Sequence, residues 1–164
     1  MSRGFVKETD QEEPIVVPPR AALPENEINY VTPFGKEMLE KEKVALEKER
    51  STLEIENETE RRRELSMLDG KLKLLVERLK TAQVIEPKNQ NHTEVRFGAK
   101  IKFKMDRSIQ KFQIVGVDEA DVKEKKIAFT SPLAKSMTSK KAGDQFDFKL
   151  GEDIRPIEIL EIHY

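Results

Sequence analysis

The chain contains no cysteine and no tryptophan in 164 residues, and no apolar run approaches the ~20 residues that a membrane-spanning helix requires. Without cysteine there are no disulfides, no thiolate metal sites and no cysteine nucleophile, which fits a reducing compartment. Charge of neither sign is in excess: 30 basic and 31 acidic side chains leave a net charge of −1 and a pI near 6.2. A chain so balanced has no general basic field to draw it to nucleic acid, so any such contact has to be local. Hydrophobic residues make up only 37%, matched by 37% charged residues. That composition favours two modest modules over one large core. The two histidines, His92 and His163, lie far apart and fall into no metal-ligand spacing. There is no glycine-rich phosphate loop, zinc-ligand spacing, nucleophile motif or internal repeat. The opening MSRGFVKETDQEEP has no apolar core of the kind a signal peptide carries, so the expected address is the cytoplasm, with no membrane contact.

What is present divides the chain into an arm (1–31), a helical hairpin (32–86), a linker (87–94) and a strand-rich domain (95–164). Five of the eight prolines fall within residues 1–33, and the stretch IVVPPRAALP predicts an extended or irregular arm, because proline fixes φ and removes backbone donors. Thr32 followed by Pro33 reads as a helix cap with proline at the first helical position. Leu39, Leu46 and Leu53 then recur every seven residues, and Leu65, Leu68, Leu72, Leu75, Leu79 and Ala82 continue at three-four spacing until Pro87. Such a stripe is a coiled-coil seam. The twelve-residue gap between Leu53 and Leu65 breaks the heptad phase, so two helices of about 24 residues folding back near residues 55–60 are expected, projecting roughly 35 Å.

From Val95 the pattern alternates. VRFGAKIKFKM puts Val95, Phe97, Ala99, Ile101 and Phe103 on one face, and KFQIVGV, KKIAFTS, DQFDFKL and IRPIEILEIHY are further strands. Between them, SPLAKSMTSKKAGD offers Ser131 as a cap, Pro132 in the first turn and Gly143 as a stop for one short helix. The expected fold class is α+β: an N-terminal antiparallel coiled-coil hairpin followed by a small antiparallel sheet domain with one short helix. The seven aromatic residues after Val95 are read as its core.

One stretch resists a purely structural reading. LEIENETERRR places Glu54, Glu56, Glu58 and Glu60 at every second position and follows them with Arg61, Arg62 and Arg63. Between Lys36 and Lys80 there are twelve basic and twelve acidic residues, mostly interspersed, yet between Arg50 and Arg61 there are only acids. The hairpin therefore carries a carboxylate cluster at its tip. Acids in the first turn of the second helix favour its dipole by about 0.3–1 kcal/mol each, which accounts for Glu58 and Glu60 better than for all four. Carboxylate oxygens are hard ligands suited to magnesium, which usually takes one or two from a protein. The three arginines fan around the helix, so at least one can meet a phosphate or a partner's acid.

The segments VTPFGKEML, KTAQVIEP, VRFGAKIKF, FQIVGVDEADVKEKKIAFTSPLAKSM and KKAGDQFDF together resemble the GreA/GreB family of bacterial transcript-cleavage factors over about residues 31–164. The opening is similar to that of a shorter Gre-like subgroup, with a short coiled coil. The resemblance implies an FKBP-like carboxyl-terminal domain docked on bacterial RNA polymerase at the rim of its secondary channel, and a coiled coil inserted toward the active site. It implies a monomeric transcription factor and not a stand-alone enzyme, with no cofactor of its own; Mg2+ would be shared with the polymerase if the tip supports cleavage. Asp118, Glu119, Asp121, Ser131 and Pro132 match segments that form or flank the family's polymerase-binding surface. Arg61, Arg62 and Arg63 are expected to contact nascent RNA or polymerase, and Glu54, Glu56 and Glu58 to assist the catalytic Mg2+. At the tip the chain departs from the family pattern. No Gly-Asp pair precedes the acids, and alignment puts either Ser51 or Leu53 where the tip aspartate belongs. Two readings therefore stay open, a factor that stimulates transcript cleavage and a non-cleaving channel-binding regulator similar to the Gre-fold nucleoside diphosphate kinase regulators. A prolyl isomerase, suggested by the FKBP-like fold alone, lacks the floor tryptophan such a pocket is built on.

Overall fold

A computed structural model of the chain describes residues 13–164. The first twelve residues of the arm lie outside the described residues. Helix α1 (Pro33–Ser51) is capped by Thr32, whose hydroxyl accepts from Gly35 N at 2.9 Å. Helix α2 (Glu58–Thr81) is capped by Asn57, whose side-chain oxygen accepts from Glu60 N at 3.0 Å. The two pack antiparallel: Leu39 near the start of α1 meets Leu75 near the end of α2, and Arg50 at the other end binds Asp69. Leu39, Leu68 and Leu75 are buried, and Leu46, Leu65, Leu72, Leu79 and Ala82 are half-buried, so the leucine pattern marked the inner stripe.

Helix α1 is 19 residues and stops before Leu53, earlier than its heptads suggest. The cause is local: the carbonyl of Lys48 is taken by Thr52 N–H and by the hydroxyls of Ser51 and Thr52. Short hydroxyl side chains that bond back to a helix carbonyl compete with continuation of the helix. Leu53 and Ile55 instead sit half-buried in the turn 52–57.

The arm is extended, as its prolines predict, and runs alongside α2. Arg63 Nη1 donates to the Glu13 carbonyl at 2.8 Å, Val17 lies over Gly70, and Arg78 Nη2 donates to the Ala21 carbonyl at 2.6 Å. The two chains keep step because polyproline-like backbone rises ~3.1 Å per residue and helix ~1.5 Å, so one arm residue covers about two helical ones. Gly70 makes this approach possible, since a Cβ there would fall 2.4 Å from Val17 Cγ2. Gly70→Ala should gain up to ~1 kcal/mol of helix propensity while displacing the arm. The expected result is a nearly unchanged melting temperature with faster tryptic cleavage after Arg20, read by mass spectrometry; unchanged cleavage would mean the arm is not seated on α2.

At the base, β1 (Tyr30–Val31) pairs in parallel with β2 (Gln83–Val84), tying the end of the arm to the end of the hairpin. A short 3-10 turn at Pro87–Asn89 leads to the sheet domain. Its five strands are β3 (Lys100–Met105), β4 (Ser108–Val115), β5 (Lys126–Ala128), β6 (Gln145–Leu150) and β7 (Asp153–His163), in the order β5-β4-β3-β7-β6. Helix α3 (Pro132–Met137) packs Ala134 and Met137 against Ile101, Phe103, Ile114, Ile157 and Ile159 to form the main core.

Three sequence expectations need correction here. The sheet is mixed and not wholly antiparallel, because β5 pairs with β4 in parallel after the chain crosses back through residues 116–125. The strand expected from Val95 begins only at Lys100: Gly98 has φ 87°, and Val95 N–H donates to the Lys140 carbonyl while its own carbonyl accepts from Ser139 N–H, instead of pairing with a neighbouring strand. Its apolar face is nevertheless as expected, with Val95, Ala99, Ile101 and Phe103 buried. Finally, α3 stops at Met137 and not at Gly143, because Ser139 turns to φ 69° and its N–H is taken by Val95.

Candidate functional site

Two regions bring the sequence-derived candidates together. The first is the tip. Glu54 and Glu56 lie on the turn 52–57, while Glu58 and Glu60 occupy the first turn of α2, and all four side chains are exposed. Arg61 Nη2 stands 3.8 Å from Glu58 Oε1, and Arg63 is committed to the arm carbonyl of Glu13. Arg61 and Arg62 are exposed and Arg63 half-buried. Among the described residues no group of three or more His, Asp or Glu side chains is arranged to hold a metal ion by itself. The tip carboxylates suit a hard cation chemically, but only one whose remaining ligands come from elsewhere.

The second region is the junction between hairpin and sheet domain. Asp118 has a side chain only 7% exposed and is held by two arginines: Arg20 Nε donates to Oδ1 at 3.0 Å, and Arg78 Nη1 lies 3.2 Å from Oδ2 as an ion pair too misaligned for a hydrogen bond. Arg20 also grips Glu42 of α1 through two hydrogen bonds of 2.8 and 3.0 Å. That bond to Glu42 comes first among the causes that hold the Arg20 guanidinium above its ordinary value, against its partial burial. One node thus joins arm, α1, α2 and the sheet domain. Glu119 accepts from the hydroxyl of Thr32, the α1 cap, at 2.5 Å. Both acids were expected to face a partner; both are engaged inside the molecule. Sequence could not show this, because the arginines that hold Asp118 are 98 and 40 positions away.

Asp121 is exposed and caps the 3-10 turn Val122–Glu124 by accepting from Lys123 N at 2.9 Å. Ser131 is half-buried, capping α3 through Ala134 N at 3.3 Å, and Pro132 is exposed. A groove of about 480 Å3 lies between the start of α1 and residues 118–126, walled by Phe34 and Met38 on one side and by Glu119, Ala120, Asp121, Glu124 and Lys126 on the other. Ser131 and Pro132 are not among its walls. Phe34 and Met38 are 53% and 50% exposed, and Lys126 Nζ sits 4.3 Å above the Phe34 ring. Sequence reading missed this pair. Its signal was two apolar residues four apart, offset from the leucine seam, which on a helix share a face of their own.

The comparisons with known proteins follow the same outline. Residues 90–164 match the family described as "Transcription elongation factor, GreA/GreB, C-term". Over 105 residues the chain is 37% identical to transcription elongation factor GreA of Thermodesulfovibrio yellowstonii, covering 63% of this chain and 66% of that one. It is also 37% identical over 105 residues to GreA of Acidiphilium cryptum, covering 67% of that protein. The chain belongs to the GreA/GreB family. About a third of the length of these GreA relatives lies outside the match. Among solved structures, a GreA/GreB elongation factor of Nitrosomonas europaea overlaps 84% of this chain and 99% of its own at 20% identity, with a TM-score of 0.40. The GreA/GreB match covers Asp118, Glu119, Asp121, Ser131 and Pro132, and the family's carboxyl-terminal segment starts just before the sheet domain.

Proposed function

We propose that this chain is a Gre-type transcription elongation factor that binds bacterial RNA polymerase at the secondary channel and presents the hairpin tip toward the active site. On this reading the hairpin is a coiled coil, the sheet domain is FKBP-like, and the factor works in the cytoplasm as a monomer. Family membership supports the general role. The observation that carries the mechanism is the tip: four exposed glutamates, two on the turn 52–57 and two in the first turn of α2, at the end of the hairpin away from β1 and β2.

Like charges so placed cost little in water, where screening is strong. They become strongly favourable only near a cation. Beside a polymerase-held Mg2+, Glu54 and Glu56 on the turn and Glu58 at the start of α2 would supply oxygen ligands and help to orient a water for attack on a phosphodiester. The metal belongs to the polymerase, so the factor contributes carboxylates and no catalytic centre. Arg61 and Arg62, both exposed, would meet nascent RNA or polymerase acids on this reading, with Arg63 tied to the arm. Docking of the sheet domain would use Phe34, Met38 and Asp121 of the junction groove together with Pro132; Ser131 would set the start of α3, and Asp118 and Glu119 would hold that surface together from within.

The test is release of short 3′ RNA fragments from a stalled, backtracked elongation complex in Mg2+. The native protein should accelerate release, and a variant with Glu54, Glu56, Glu58 and Glu60 changed to Gln should lose at least about 100-fold of that acceleration, the loss of ~3 kcal/mol expected when charge stabilisation of a transition state is removed. Polymerase binding without any acceleration by the native protein would instead favour the non-cleaving regulator, a reading supported by the absence of a tip aspartate.

A further inference from the structure

Strands β3, β4 and β7 display an arrangement that the reading above does not use. On β3, Lys100, Lys102 and Lys104 alternate with the core residues Ile101 and Phe103. In the β3–β4 register Lys102 stands directly opposite Lys111, and Lys100 opposite Gln113. Like charges directly opposite on neighbouring strands are destabilising, so the fold keeps a self-repelling pair where a neutral residue would be easier. Lys100, Lys102 and Lys111, with Lys125 from the segment before β5, surround a groove of about 420 Å3. Two acids line it, Glu124 and Glu161. Glu161 is already shared, bonded to Lys102 at 3.2 Å and to His163 at 3.0 Å.

We infer that this groove binds the sugar-phosphate backbone of a single-stranded nucleic acid. Lysines at every second strand position repeat at roughly 6.7 Å, a spacing suited to a ligand whose charge also repeats regularly. They are point charges with no preferred plane, which suits phosphates contacted without reading of bases. Of the two rings that line it, Phe112 is buried with Lys125 Nζ 5.6 Å from its ring centre, and His163 is exposed but bonded to Glu161, so the lysines outweigh stacking surface. An acidic peptide fits less well. β3 lies between β4 and β7 with its backbone paired on both sides, so an extended peptide could not add main-chain hydrogen bonds there and would hold on by side chains alone. The groove is a local basic surface, separate from the tip arginines, of the kind that a chain of net charge −1 needs in order to touch nucleic acid.

The test uses the intact protein without polymerase, so its outcome is independent of transcript cleavage. Fluorescence anisotropy would follow a short labelled oligouridylate between about 50 and 200 mM salt. The groove variant Lys100→Gln/Lys111→Gln/Lys125→Gln is compared with a control, Lys123→Gln/Lys141→Gln/Lys149→Gln, with melting temperatures recorded for both. The groove variant should bind at least about 10-fold more weakly, and its salt slope should fall by about 2, the change expected for three lost phosphate contacts to a single strand. The control should match the native protein. Absence of binding by the native protein would overturn the proposal, as would equal loss in both variants. So would displacement of the RNA by a polyglutamate of similar length at equal concentration, which would mark the groove as a site for an acidic protein.

Discussion

Replacing Asp118 by alanine should lower the melting temperature of the isolated protein by roughly 6–20 °C. The carboxylate lies between Arg20 and Arg78, whose side chains are 17% and 13% exposed. Removing one partner of a buried ionic network typically costs about 3–5 kcal/mol, because the remaining charges stay desolvated without compensation. Here the loss leaves two arginines in near contact with Glu42 as the remaining counter-charge of the node. Arg20→Ala should cost less, since Asp118 keeps Arg78 and Glu42 is 43% exposed to water. Differential scanning fluorimetry on the protein alone checks both, and faster tryptic cleavage after Arg20 in the Asp118 variant would show that the arm has been released. An unchanged melting temperature would mean that Asp118 holds nothing together internally, and would return it to the set of partner contacts.

Gly116→Val is the second substitution expected to act strongly. A Cβ at this position would lie 2.5 Å from the Tyr30 carbonyl oxygen and 3.5 Å from Val31 Cα. These are backbone atoms of β1, which is held on its other side by Gln83 N–H to the Asn29 carbonyl, by Ile85 N–H to the Val31 carbonyl, and by Asn29 Nδ2 to the Arg78 carbonyl at 2.9 Å. No flexible side chain can yield, so β1 must move away from the sheet domain. Overpacking of this kind costs typically 1–3 kcal/mol, and a branched residue against backbone belongs at the upper end. Tyr30 reports the displacement: its ring packs 5.8 Å from Phe97 and 5.6 Å from Phe129, centre to centre. With no tryptophan to mask it and Tyr164 as the one other tyrosine, a partial fall of the near-ultraviolet tyrosine signal should accompany the fall in melting temperature. A signal of undiminished intensity at native stability would contradict the close approach.

These two positions also mark the limit of what local sequence carries. The helices, their inner leucines and the caps of α1 and α3 were legible because each depends on residues within about one turn of one another, while Asn57, the cap of α2, was not read. Thr32 with Pro33, Ser131 with Pro132, and the three-four leucine spacing specify helix starts and an apolar stripe with no distant information. The alternating apolar residues of β3 were legible for the same reason, since strand faces follow a period of two. The glutamates could be placed at the hairpin tip from the break in heptad phase alone.

Distant contacts settled the rest. The parallel β4–β5 pair depends on where the crossover 116–125 returns, and the end of α3 on hydrogen bonds from Val95, some 40 positions earlier in the chain. Asp118 and Glu119 carry the composition of an exposed acidic turn, and only the packing of arm and helices against them makes one a buried ionic hub and the other a brace for a helix cap. Gly70 and Gly116 are unremarkable in sequence. Their role exists because a second stretch of backbone or side chain comes within a Cβ's reach. The sequence by itself determined the periodicities, the caps and the family, because these are written in neighbouring residues. The tertiary structure decided which polar groups are spent holding the modules together and which remain exposed for a partner, because that depends on what each group meets across the fold.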